Sequence, residues 1–140
     1  MSILSRLFSS GSDDHEHARQ KREKFQELER LHAGDDETIS YVKAVWLTSR
    51  GLHYARLGSF DYAIPDFKEA IALKPDQAEA FLGLGISYAN KGMLQEALCV
   101  LKSAPKKWKL HRQEYDIHPR TIQEINNFIR ELNEYSSKHK

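Results

Sequence analysis

Between residues 38 and 105 apolar positions recur at three- and four-residue spacing, and the pattern is then written a second time. Gly51 returns as Gly85, Tyr54 as Tyr88, Gly58 as Gly92, Ala63 as Ala97 and Ala70 as Ala104, each 34 residues later. Phe60, Ile64 and Phe67 return as Leu94, Leu98 and Leu101. A fixed period of this length marks stacked supersecondary units. The small residues let two helices approach closely, while Tyr54 and Phe67 fill the space that remains. Gly58 and Gly92 stand where a left-handed residue ends one helix and opens a tight turn.

The spacing predicts a first helix from about Thr38 to Leu57 and a second, N-capped by Ser59, to Leu73. Asp76 followed three residues later by Glu79 has the form of a capping box, which opens a third helix ending before Gly92. A fourth runs from Leu94 to Ser103. It is expected to be shorter than the second, because Pro105 stands where the first copy has Ile71. After it, Lys106, Lys107, Lys109 and Arg112 surround Trp108 in a stretch of turn and loop character, residues 106–117. Pro119 suits the first position of a last helix, and Thr121 with Glu124 offers a further capping signal. Ile122, Ile125, Ile129 and Leu132 make that helix strongly amphipathic to about Ser137.

The ends are less patterned. Ile3, Leu4, Leu7 and Phe8 form two turns of an amphipathic segment within residues 1–12, which read as a flexible tail or a surface anchor. Residues 13–37 form a charged helix and linker with one narrow apolar stripe, Phe25, Leu28 and Leu31.

This organisation resembles the tetratricopeptide repeat family. The first copy carries Leu47, Gly51, Tyr54, Ala63, Phe67, Ala70 and Pro75, and the second Phe81, Leu84, Gly85, Tyr88, Ala97, Leu101 and Ala104. Two positions depart from the family pattern. Arg50 stands where the family has Leu, and the closing proline of the first copy is replaced by Lys109 in the second. The resemblance implies an all-α fold: two tandem helix–turn–helix repeats, about 44–77 and 78–105, an N-terminal helix, and a C-terminal capping helix within 118–140. Two hairpins cannot bury their own apolar faces, so a flanking helix or a second copy of the chain must cover them.

Composition narrows the function. The chain has 140 residues, is 40% hydrophobic and 29% charged, and carries a net charge of +1. That balance does not suit a whole-molecule nucleic-acid binder. Cys99 is the one cysteine, which excludes an internal disulfide; set among Leu98, Val100 and Leu101, it reads as buried core. His15, His17 and His32 read as solvated, since residues two apart on a helix do not share a face. No phosphate loop, nucleophile elbow or paired metal motif is present. The expectation is therefore no enzyme, no metal and no cofactor, with a cytoplasmic location as the default.

The resemblance places the binding surface on the first helix of each hairpin. In register, that surface consists of Val45, Thr48, Leu52, Ala55 and Arg56, then Glu79, Leu82, Ile86, Ala89 and Asn90. Relatives that hold a carboxylate use Lys, Asn and Arg there; this chain has Thr48, Leu52, Gly83 and Glu79, which does not suit that ligand. The mainly apolar groove implies a peptide or helix of a protein partner, unless the chain's own flanking helix fills it. Lys106, Lys107, Lys109 and Arg112 are candidates for an anionic partner, against the plainer reading of a solubilising linker with Trp108 tucked inward. The second class of function is a peripheral membrane protein that sets residues 1–8 and this basic stretch on anionic lipid.

Overall fold

A computed structural model describes residues 36–139, together with the helical positions Arg19, Glu23, Gln26, Glu27 and Arg30. The expectations for residues 1–12, and for the stripe of Phe25, Leu28 and Leu31, lie outside the described residues. The described chain forms α1 (Asp36–Arg56), α2 (Phe60–Leu73), α3 (Ala78–Asn90), α4 (Leu94–Lys102), β1 (Lys107–Leu110), β2 (Gln113–Asp116) and α5 (Pro119–Lys138). α1 pairs with α2 and α3 with α4 as the two repeat hairpins, an all-α fold to which, among the described residues, a small β-hairpin is added.

Each repeat turns on a glycine in the left-handed region, Gly58 with φ of 76° and Gly92 with φ of 80°. α4 has 9 residues against 14 in α2, which agrees with the stop expected at Pro105. Some helix starts differ from expectation. Gln77, not Asp76, is the N-cap of α3, because the Asp76 carboxylate is engaged elsewhere: its Oδ2 accepts the Lys109 N–H at 2.8 Å. His118 caps α5 through its Nδ1, with Pro119 following it, and Glu124 lies 3.4 Å from Arg120 instead of closing a box with Thr121. Ser59 is the N-cap residue of α2, but its side chain makes no capping bond.

α3 is the central helix. Every residue from Leu82 to Ser87 is buried, because the helix packs on the first repeat with one side and on α4 and α5 with the other. Phe67 of α2, fully buried, sits against two helices at once. A methyl group added at Gly51 of α1 would lie 2.7 Å from its ring, and one at Gly83 of α3 only 2.3 Å. Those distances are below any van der Waals contact, so glycine is the residue that lets both backbones close on the ring. In the second repeat Leu101 takes the same seat on Gly85.

α5 completes the second core with Ile125, Phe128 and Leu132, all buried, against Leu82 and Ile86 of α3 and Leu98 and Leu101 of α4. It therefore does the covering that a third repeat would do. Cys99 is exposed, contrary to the expectation of a core thiol. On α4 the inward stripe is Ala97, Leu98 and Leu101, and at 100° per residue Cys99 falls on the outer face.

The basic stretch is a β-hairpin, not a loop. Lys107 pairs with Asp116, Trp108 with Tyr115, Lys109 with Glu114 and Leu110 with Gln113. The two-residue turn, His111 and Arg112, has φ of 51° and 68°, the signature of a type I′ turn made without glycine. Its strain is held by α1: the His111 N–H donates to Glu37 Oε1 at 2.7 Å, and the His111 Nε2 lies 3.0 Å from the Thr38 hydroxyl.

Arg50 explains its departure from the repeat pattern. It forms a bidentate pair with Asp66 of α2, at 2.7 and 2.6 Å, and its guanidinium lies 4.5 Å from the Trp46 ring centre. The hydrogen bonds to Asp66 raise the guanidinium pKa, outweighing the opposing effect of burial. The Asp66 side chain is only 7% exposed, so losing its cation strands a buried carboxylate. Arg50→Leu should cost roughly 3 kcal/mol, and adding Asp66→Leu should recover most of it. Urea unfolding of the wild type and three variants measures the coupling; a single-variant loss below about 1 kcal/mol would mean that the pair contributes little.

Candidate partner-binding cleft

The concave side of the repeats is partly closed by the chain itself. Beside α1 and the start of α3 lies a cleft of about 320 Å3. One wall is the α1 face carrying Tyr41, Val45, Thr48 and Ser49, spaced at four, three and one so that they share a side. The floor is the start of α3, from Asp76 to Glu79, and the far wall is Trp108 with Ile117, His118 and Thr121 at the entry to α5.

The rim is aromatic. Trp108 stacks between Tyr41, at 5.6 Å between ring centres, and Tyr115, at 4.4 Å. Alternation along β1 points Trp108 toward the cleft and turns Lys107 and Lys109 to the opposite face. Asp76 and Glu79 are the formally charged residues among the lining, alongside the His118 imidazole. The hydroxyl of Thr48, a buried residue, donates to the Ala44 carbonyl at 2.9 Å. Val45 is 39% exposed, a large apolar side chain open to a guest.

The ten groove residues inferred from the repeat register do not form one surface. Val45, Thr48 and Glu79 line the cleft. Leu82 and Ile86, expected to face a partner, are 7% and 1% exposed beneath α5, and Ala55 is 3% exposed in the first core. Leu52 is half-buried against that same core, and Arg56 is exposed at the end of α1. Ala89 and Asn90 border a separate hollow of about 270 Å3 with Phe128, Leu132 and Tyr135 of α5. The physical reason is coverage: the face of α3 that a longer array would offer as groove is here the seat of α5.

The four basic residues are likewise dispersed. Lys107 lies 3.7 Å from Glu114, Lys109 is tied through its backbone to Asp76 and Lys74, and Arg112 is at the turn. Lys106 precedes β1 and borders α5. Trp108 is half-buried against the second core, the arrangement of the plainer sequence reading. Sequence reasoning missed Tyr41, Asp76, Ile117, His118 and Thr121 as cleft residues. Tyr41 was accessible as the residue one turn before Val45, and Asp76 as the residue three before Glu79; Ile117, His118 and Thr121 reach the cleft only through long-range packing.

A family model described as a TPR repeat, the tetratricopeptide repeat, matches residues 51–92, from the middle of α1 to the turn after α3. No curated protein and no solved structure matches the chain.

The burial of Leu82 fixes the outcome of its substitution. Leu82→Glu forces a carboxylate into the interface with α5 and should cost roughly 3 kcal/mol or more. Urea denaturation checks it: the midpoint should fall clearly, and an unchanged midpoint would mean that α5 does not cover this face.

Proposed function

We propose that this chain, whose residues 51–92 match a tetratricopeptide-repeat model, is a non-catalytic adaptor that binds an extended segment of a protein partner in the cleft between α1, α3 and Trp108. The observation that carries this reading is Val45, 39% exposed within a concave, aromatic-rimmed cleft that the rest of the fold leaves open. Pockets of this size take a few side chains. A whole helix, about 10 Å across, needs the longer groove that α5 occupies here. With Asp76 and Glu79 as its charged lining, the cleft suits a neutral or basic guest and opposes an acidic one.

The peripheral-membrane reading draws less support. Its apolar part, residues 1–8, lies outside the described residues, and the basic stretch is a hairpin in which Lys107 lies 3.7 Å from Glu114. Among the described residues no helix is long and apolar enough to cross a membrane.

The test begins with peptides selected from a random displayed library on the full chain and measured by fluorescence anisotropy. Val45→Arg should weaken the selected peptides by at least about tenfold, equivalent to roughly 1.4 kcal/mol, with little change in the urea midpoint. Met93→Ala, at a distant exposed position, should leave affinity unchanged. Peptides indifferent to Val45→Arg would overturn the reading.

A further inference from the structure

A second groove of about 210 Å3, lined by none of the cleft residues, runs between the end of α4 and α5. Its floor is apolar: Ile122 and Ile129 are half-buried and one helical face apart by seven residues, and Ala104 lies opposite. Its rim is cationic. Lys102 and Lys106 are the charged residues of the lining, both exposed, and neither has a carboxylate partner among the described residues. Lys102 lies in the last turn of α4, where it also complements the helix dipole. Lys106 has no such role. The carboxylates of α5 nearest in sequence are turned elsewhere: Glu124 lies beside Arg120, and Glu131 borders the opposite hollow.

We propose that this groove is a second docking face, for a short amphipathic protein segment whose apolar residues enter between Ile122 and Ile129 and whose Asp or Glu side chains meet Lys102 and Lys106. The charge of the rim selects the partner: an acidic flank gains attraction from both lysines, and a basic one is repelled. Shape selects a protein ridge over a bilayer. The groove is concave, and none of the exposed large apolar residues, Val45, Tyr62, Met93, Tyr115 and Tyr135, projects from it to enter lipid. The cleft is lined by Asp76 and Glu79 and this groove by Lys102 and Lys106, so the two openings differ in the charge of the guest they favour. The groove stands independently of the cleft.

The probe is a fluorescein-labelled short peptide with two leucines flanked by glutamates, compared with the same peptide carrying lysines. Both are titrated into the full chain by anisotropy and by amide chemical shifts. The acidic peptide should bind at least about tenfold more tightly than the basic one, less tightly as salt rises, with shift changes centred on Ala104, Ile122 and Ile129. Lys102→Glu with Lys106→Glu should reverse the preference, and the milder Lys102→Gln with Lys106→Gln should weaken the acidic peptide if the reversed variant folds poorly. Val45→Arg should leave this binding intact, which separates its failure from that of the cleft. Equal binding of the two peptides, shift changes elsewhere, or binding to phosphatidylserine vesicles without binding to the acidic peptide would overturn the proposal.

Discussion

The phenyl ring of Phe67 is the contact through which the two repeats become one structure. It comes from α2, yet it closes against glycines of α1 and α3, and a single methyl group on either would occupy the ring's own space. Burying the ring contributes roughly 1.5–3 kcal/mol from transfer alone. Its greater effect is geometric. By fixing how closely α3 approaches α1, it sets the width between Val45 and Glu79, and so the cleft. The Arg50–Asp66 pair holds the same α1–α2 interface from its outer edge, where a leucine would contribute only packing.

The second constraint is the shortage of repeats. A two-repeat array leaves one side of its last hairpin bare, and α5 covers it with Ile125, Phe128 and Leu132. This coverage has a functional consequence. The helix that stabilises the second repeat also removes Leu82 and Ile86 from any partner. It brings Ile117, His118 and Thr121 to the surviving opening, and the hairpin that leads into α5 adds Trp108. Stability and site are thus set by the same packing.

Much of the architecture was legible because it is local or periodic. The spacing of Gly51 and Gly85, of Tyr54 and Tyr88, and of Ala63 and Ala97 locates both hairpins, and Gly58 and Gly92 mark their turns. The site was less legible, because the repeat register says which face of a helix is free of its own hairpin and nothing about what else lies on that face. Leu82 shows the gap: its register position is a groove position, and its environment is a core. The β-hairpin was hidden for a different reason. Type I′ turns are recognised by Asn-Gly or similar pairs, whereas this one uses His111 and Arg112, held by Glu37 and Thr38 some seventy residues earlier in the chain. Asp76 was misread for the same cause, a long-range backbone partner, Lys109, in place of a local one. Cys99 was misplaced by its apolar neighbours, although its angular position on α4 already put it on the outer face.

That α5 is an integral part of the repeat stack, and not an appendage over an open groove, is the claim from which the rest follows. Native-state hydrogen exchange tests it most directly, residue by residue. The amides of Ile125, Phe128 and Leu132 should exchange with the same free energy as those of Leu84 and Ile86 in α3, all tracking global unfolding. If the α5 amides exchange through an opening that costs clearly less while α3 keeps its protection, then α5 detaches from an intact pair of repeats, and the groove over Leu82 and Ile86 is a binding surface after all.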